Sequence, residues 1–173
     1  MDERRLAEFK EGLKEVVANR GYIPDQESYN LFQKIVPWPA TEVCLTNPNG
    51  QLLLRYRDDQ WWKGWHIIGG FIRAHERLAD ACRRHLAGDG VGVSFDLIDE
   101  CAFIQKWMPG EHPFGFPISI GCVCVTMEDV PETDVLLWTD EPVETEVTHH
   151  YNFQRQFFRW WKQNGAQALA KNS

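Results

Sequence analysis

Apolar residues recur three or four positions apart in four parts of the chain, and this spacing lines one face of an α-helix. In the first part Leu6, Phe9 and Leu13 follow it, and Gly21 and Pro24 come shortly afterwards. Glycine and proline interrupt helices, so the first helix is predicted to end before them. The predicted helices cover residues 2–19, 25–36, about 77–87 and about 152–169.

Runs rich in β-branched and aromatic residues between these helices predict strands. The turn Asn47–Gly50 separates the first two runs, so these two are predicted to form a hairpin. Strands and helices alternate too sparsely for repeated βαβ units, which favours an α/β sandwich over a doubly wound parallel sheet. The predicted strands cover residues 41–47, 51–57, 65–68, 91–107, 117–127 and 135–139.

Length and composition predict one globular domain with a helical preface. The chain has 173 residues, of which 43% are hydrophobic and 13% aromatic, and its formal charge is -7. We divide it into an N-terminal helical extension, 1–37, packed on a domain at 38–173. The acidic balance argues against nucleic-acid or membrane binding. The charged N-terminus does not resemble a signal peptide and no apolar run could span a bilayer, so a cytoplasmic location is expected.

The cysteines predict buried thiols. There are five of them, and none forms a C-x-x-C pair. Cys122 and Cys124 are two positions apart in an apolar run, which predicts that they share one face of a strand. Free thiols in a reducing compartment are the expected state, and a zinc site is the alternative.

A double glycine followed by a helix has the most informative spacing in the chain. Five residues separate Gly70 from Glu76, and seven separate Glu76 from Arg84. This pattern resembles the Nudix box, the catalytic motif of the Nudix hydrolases, and the flanking elements are similar to that family over roughly residues 35–165. The resemblance implies a Nudix-like α/β/α sandwich with a mixed sheet. It also implies hydrolysis of a nucleoside diphosphate linked to another group.

The carboxylates that hold divalent cations in that family are largely replaced here. The positions that these carboxylates occupy in the family are taken here by His85, Gly88 and Asp89. His85 and Asp89 are four positions apart and would face the same way on a continuing helix. The resemblance implies that they bind one weakly held cation, magnesium or manganese, together with the carbonyl of Gly70. The alternative is that His85 is a hydrogen-bonded residue at the helix end and Asp89 a turn residue.

A second motif precedes the last predicted helix. Residues 148–152 read Thr-His-His-Tyr-Asn. This resembles the loop of the GDP-mannose mannosyl hydrolases, a Nudix branch in which the histidine of a His-x-Asn pair acts as base. The resemblance places the base at His150 and its partner at Asn152. An imidazole can take a proton from water near neutral pH. The alternative is a polar lead-in to the helix with Asn152 as its N-cap.

Other polar and aromatic side chains near the double glycine complete the predicted site. Glu76 and Arg84 are expected to order it, and the alternative for Glu76 is to cap the helix. Arg57 and Arg73 are predicted phosphate contacts, and Trp62 is predicted to stack on a base or sugar. Surface exposure for the arginines and core packing for the tryptophan are the alternatives.

These patterns predict a hydrolase of a nucleoside diphosphate linked to another group, with a nucleotide sugar as the favoured substrate and one divalent cation as cofactor. The first alternative is a catalytically impaired Nudix domain that binds a nucleotide or a protein partner without turnover. The second is a self-associating domain, which the excess of tryptophan and the N-terminal helical extension favour. A homodimer is therefore one of the expected arrangements. The expected ligand is a nucleotide-type small molecule.

Overall fold

The computed structural model describes residues 2–18, 26–108, 111–112 and 115–170. Their helices and strands follow the predicted order. The helices are α1 (Glu3–Ala18), α2 (Gln26–Gln33), α3 (Leu78–Gly88) and α4 (Thr148–Ala170). The strands are β1 (Pro39–Thr46), β2 (Leu52–Asp58), β3 (Lys63–Phe71), β4 (Asp96–Lys106), β5 (Ile118–Val125) and β6 (Leu136–Thr139).

The six described strands form a single mixed sheet in the order β4-β5-β1-β3-β2-β6. β1 runs parallel to β5, and the other neighbouring pairs are antiparallel. Apolar residues in the middle strands are buried on both faces, as expected where helices cover both faces of a sheet. The prediction of an α/β/α sandwich with a mixed sheet is confirmed.

The predicted hairpin between β1 and β2 is wrong beyond its turn. The two strands pair only at Thr46 and Leu52, next to the turn. Further along, β3 lies between them and pairs with β1 through Val43 and with β2 through Leu54. The sequence predicted only a short third strand, 65–68. In the structure β3 covers Lys63–Phe71 and is long enough to pair with both β1 and β2.

Alternating residues of the middle strands supply two cores, one on each face of the sheet. Val43 and Leu45 of β1 pack with Cys82 and Leu86 of α3, whereas Cys44 between them packs with Phe153 of α4. This alternation follows from the two-residue period of a strand. The helices are therefore held on opposite faces of the sheet.

The prediction of buried free thiols is confirmed for four of the five cysteines and is wrong for Cys101, which is exposed. Cys122 and Cys124 lie in the same core, on the α3 side. Cys44 and Cys82 are also buried free thiols, and Cys101 is a free thiol at the surface.

Two helix starts differ from the sequence patterns. α4 begins at Thr148, four residues before its predicted start, so Asn152 lies inside the helix and its alternative role as N-cap is wrong. α3 begins at Leu78 after Arg77, whose side chain makes no capping bond. Apolar periodicity fails to locate helix ends because the first turn need not contribute to the core.

The N-terminal segment contacts the sheet through aromatic rings. Tyr29 of α2 packs edge-on against Trp38 and Phe71, with ring centroids 5.3 and 6.1 Å apart. The predicted end of the first helix at Gly21 and Pro24 lies outside the described residues. The division into an extension and a domain stays a prediction. None of the described helices has the length and apolar character needed to cross a membrane.

Candidate ligand-binding site

A cavity of about 880 Å³ opens beside β2 and β3, where the end of α3 and the start of α4 also meet the sheet. All the predicted site residues line it except Glu76, Arg73 and Asn152. Those that line it are His150, Arg84, Arg57, Trp62, Asp89, His85 and Gly70. Residues from opposite ends of the chain, with different predicted roles, thus share one cavity.

Glu76 lies behind the cavity wall, in an ion pair with Arg84. Both Nε and Nη2 of Arg84 donate to its carboxylate at 2.7 Å, and Nη2 also donates to the carbonyl of Phe71 at 2.9 Å. The bonds from Arg84 are the main reason why the pKa of Glu76 falls to about 2. The backbone N–H of Arg73 also donates to Glu76, which therefore closes the turn before α3 rather than capping it.

Asp89, the last predicted metal ligand along the chain, pairs with an arginine. Arg55 Nε donates to its Oδ1 at 3.3 Å, and both side chains are about one-third exposed or less. A guanidinium on the carboxylate competes with a cation for the same oxygens. Arg55 also places its buried Nη1 at the cavity, and that atom has no hydrogen-bond partner within the described part of the chain.

His85 packs against the backbone of the double glycine. A side chain at Gly70 would collide with its imidazole, since a Cβ there would lie 2.6 Å from Cε1. Its Nε2 lies 3.3 Å from the carbonyl oxygen of Phe71. Burial lowers the pKa of His85, and the neighbouring Arg84 adds to this effect. His85 is therefore a neutral ring engaged with β3, as its alternative interpretation described.

These contacts do not fit a hard divalent cation, which needs several oxygen ligands. Asp89 offers a carboxylate that Arg55 already neutralises, and His85 faces a carbonyl. Across the described ranges, no three histidine, cysteine or acidic side chains are grouped so as to hold a metal. The cation site stays a prediction.

Histidines and tryptophans from four segments converge on the other end of the cavity. The rings of His66 and His150 are 4.5 Å apart between centroids, and Trp62 lies about 6 Å from each. His112 packs against Trp62 and Trp107 at 5.3 and 5.0 Å. Burial is the main cause that lowers the pKa of His66 and His112 to about 4 and that of His150 well below its usual range. This wall is aromatic and uncharged at neutral pH.

A buried carboxyl, Glu42 of β1, also lines the cavity. The hydroxyl of Ser119 donates to its Oε1 at 2.8 Å, and the indole N–H of Trp107 donates to Ser119 at 3.0 Å. Glu42 is only 5% exposed, and this burial raises its pKa to about 8. At neutral pH it is mainly a neutral acid, which can donate a hydrogen bond.

The two members of the predicted His-x-Asn pair face different surfaces. His150 lines the main cavity, whereas Asn152 lines a separate depression of about 280 Å³ beside Gln105 and Arg159. Residues two apart on a helix do not face each other, and both lie within α4. Because the pair was predicted in a loop, the divergence was not visible from the sequence.

Glu42 and His66 are two residues of the site that the sequence patterns did not single out. Glu42 had a visible signal, since it is the one charged residue in the apolar strand run 40–45. His66 lies in a strand between Trp65 and Ile67, where nothing local distinguishes a core histidine from one that lines a cavity. The cavity itself is the evidence that distinguishes them.

Comparison with known proteins identifies the architecture. No family model and no curated protein matches this chain. It is similar to the MutT protein from Methanosarcina mazei, with 18% identity and a TM-score of 0.54, over 71% of this chain and 94% of that one. A Nudix-family hydrolase from Clostridium perfringens matches with 14% identity and a TM-score of 0.54, over 74% and 98%. The dihydroneopterin triphosphate pyrophosphohydrolase of E. coli matches with 15% identity and a TM-score of 0.51, over 72% and 98%. The chain has the Nudix fold.

Proposed function

We propose that this chain binds a nucleotide-type ligand, a nucleoside diphosphate or a compound linked to one, through direct contacts rather than through a bound cation. The observation that carries this proposal is a set of three buried polar atoms on residues that line the cavity. Arg55 Nη1, His66 Nε2 and His150 Nδ1 have no hydrogen-bond partner among the described residues. A buried polar atom without a partner costs about 1–3 kcal/mol, and a ligand that pairs with these atoms would offset that cost.

The chemistry of the cavity lining supports a ligand with two unlike kinds of group. Arg55, Arg57 and Arg84 line the cavity, and guanidinium groups pair well with phosphate oxygens. Trp62 and Trp107 also line it, and an indole can stack on a base or sugar. A volume of about 880 Å³ is ample for a nucleoside diphosphate.

Because Arg55 pairs with Asp89, substitutions at these two residues can distinguish direct phosphate binding from binding through a cation. In direct binding, Arg55 donates to the phosphate, so Arg55→Gln should weaken affinity by about 10- to 100-fold. Asp89→Asn should then leave affinity unchanged or improve it, because the guanidinium is released to the ligand. In binding through a cation on Asp89, the same Asp89→Asn change should abolish affinity.

The experiment is calorimetric titration with ADP, GDP, UDP, ADP-ribose and GDP-mannose, each in EDTA and in millimolar manganese. We expect saturable binding of at least one of these compounds in EDTA. Arg83→Gln is the matched control, because Arg83 is exposed, pairs with Asp80 and does not line the cavity. Binding that requires manganese and disappears in Asp89→Asn would refute the proposal, as would the absence of binding by any of the five compounds.

Hydrolysis of a nucleotide sugar is the second candidate. It is favoured by the buried Nδ1 of His150, a residue that lines the cavity. In this reaction a water oxygen attacks the anomeric carbon and passes its proton to His150, while the bond from that carbon to the diphosphate oxygen breaks. Burial holds the pKa of His150 well below its usual range, which makes it a weak base. Turnover is therefore expected to be slow.

The test of this second candidate is the release of free sugar from GDP-mannose and UDP-glucose, in EDTA, magnesium and manganese. Slow release that is lost in His150→Gln would support hydrolysis. Ligand binding without release under any of these conditions would leave the chain as a binding domain.

A further inference from the structure

The tautomer of His66 is determined by its contact with the backbone. Its Nδ1 lies 3.2 Å from the carbonyl oxygen of Gly64. A carbonyl oxygen only accepts hydrogen bonds, so Nδ1 must carry the ring hydrogen. In a neutral imidazole the other nitrogen then has a lone pair and no hydrogen. Nε2 of His66 is therefore an acceptor.

The surroundings of His66 keep this state in place. The residue is only 2% exposed, and burial lowers its pKa to about 4, with the nearby Arg57 acting in the same direction and Asp59 opposing it. Protonation at neutral pH would place a second hydrogen, and a charge, in a desolvated position. Nε2 thus stays an acceptor over the physiological pH range.

The lone pair of Nε2 is buried without a partner in the described residues, on a residue that lines the cavity. A phosphate oxygen at this position would be repelled, because both it and Nε2 of His66 are hydrogen-bond acceptors. Phosphate is therefore disfavoured there. Arg55, the cross-strand partner of His66, offers hydrogens instead. Donors from Arg55 and an acceptor from His66 therefore lie side by side on neighbouring strands of the cavity lining.

We propose that Nε2 of His66 selects ligands whose nucleoside half presents an N–H or O–H donor, with the phosphates on the arginine side. This inference rests on the proposed function and adds a specificity-determining residue to it. A hydroxyl suits the position best, because it both donates and accepts. It could donate to His66 and accept from the neighbouring Nδ1 of His150 in the tautomer that carries the ring hydrogen there.

The first test does not need a ligand. Nitrogen-15 correlation spectra of the histidine rings distinguish a protonated from an unprotonated nitrogen. We expect Nε2 of His66 to be the unprotonated nitrogen at pH 7, and its resonance to shift when ADP or UDP binds. A spectrum with the hydrogen on Nε2 would overturn the inference, whether or not a nucleotide binds.

The second test is a thermodynamic cycle in which a substitution at His66 removes the acceptor from the protein and a modified nucleotide removes the donor from the ligand. ADP is compared with 2′-deoxy-ADP, with 3′-deoxy-ADP and with purine riboside 5′-diphosphate, which lacks the base amino group. If the chain prefers uridine nucleotides, the hydroxyl deletions are made in UDP and removal of the base N–H in N3-methyl-UDP. In the wild type, one of these deletions should weaken binding by about 10- to 100-fold.

The same deletion should change affinity less than about threefold in His66→Phe, which has a ring of similar size without an acceptor. His66→Gln keeps a carbonyl acceptor and should restore part of the preference. If the phenylalanine variant does not fold, the glutamine variant and the nitrogen spectra still decide the question. Tight nucleotide binding with no coupling to any donor would overturn this inference and leave the proposed function standing, whereas no binding at all would refute the proposed function first.

Discussion

Replacing Glu42 with glutamine is expected to stabilise the protein increasingly as the pH rises. Glu42 is 5% exposed, and the desolvation of its carboxyl raises the pKa from 4.5 to about 8. The bond from Ser119 opposes this shift without cancelling it. Glutamine has the same shape and keeps a carbonyl oxygen for the Ser119 hydroxyl, but it cannot ionise. The substitution therefore removes the titration and preserves the local contacts.

The sign of the effect follows from the difference between the folded and unfolded chains. The unfolded chain ionises Glu42 above about pH 4.5, whereas the folded protein keeps it protonated up to about pH 8. The stability contributed by neutral Glu42 is fully present below pH 4.5 and is lost as the pH rises through the folded pKa. One pKa unit corresponds to about 1.4 kcal/mol, so Glu42 should lower the free energy of unfolding by roughly 3–4 kcal/mol between pH 5 and pH 8.

The buried histidines act in the opposite direction and must be separated from this effect. His66 and His112 have pKa values lowered to about 4, so their contribution to stability is lost as the pH falls from about 6.5 towards 4. The wild type and the Glu42→Gln variant share these histidines. The difference between their unfolding free energies therefore isolates Glu42.

Urea denaturation followed by tryptophan fluorescence, at several pH values between about 5 and 9, measures that difference. We expect Glu42→Gln to be within about 1 kcal/mol of the wild type at pH 5 and roughly 3–4 kcal/mol more stable at pH 8. Glu15→Gln is the matched control, because it makes the same carboxyl-to-amide change at an exposed position on α1. A flat difference for Glu42→Gln, or a variant less stable than the wild type at pH 8, would refute the assignment of a neutral buried acid.

Two further predictions concern the frame of the site. Glu76→Gln should lower the free energy of unfolding by about 2–4 kcal/mol at neutral pH, because it removes the carboxylate that Arg84 bonds twice. The folded pKa of Glu76 is depressed to about 2, so this deficit should shrink as the pH falls from 4.5 towards 2, and an equal deficit at pH 7 and pH 3 in urea titrations would contradict the pairing. Gly50→Ala should cost about 2–4 kcal/mol in the same assay, since Gly50 has a φ of 82° and an added Cβ would overlap the indole of Trp161. Gly12→Ala is its control and should be neutral or slightly stabilising, because a Cβ at Gly12, on α1, meets nothing within 4 Å; equal losses for the two variants would show that the turn is not strained.

The elements of the fold were predictable because their signals are local. The double glycine and the apolar stripe after it located the end of β3 and the body of α3. The turn at Asn47–Gly50 located the boundary between β1 and β2. Periodicity and turn chemistry act over a few residues, so they can be read without knowing what packs against them.

The partners of the predicted site residues were not predictable in the same way. Asp89 was assigned to a cation from its spacing to His85, but in the fold it pairs with Arg55, which is 34 positions away in the sequence. That pair exists only because β2 and the end of α3 are brought to the same wall of the cavity. A helix spacing shows which way a side chain faces and gives no information about what it meets there.

The sequence by itself determined the order of the helices and strands, the sandwich class and seven of the residues that line the cavity. Only the tertiary structure decided that β3 lies between β1 and β2, that Ser119 donates to Glu42 across 77 positions, and that the described residues offer Nε2 of His66 no hydrogen-bond partner. The physical reason is that charge state and hydrogen-bond polarity depend on desolvation and on distant neighbours. Both arise only when the chain has packed.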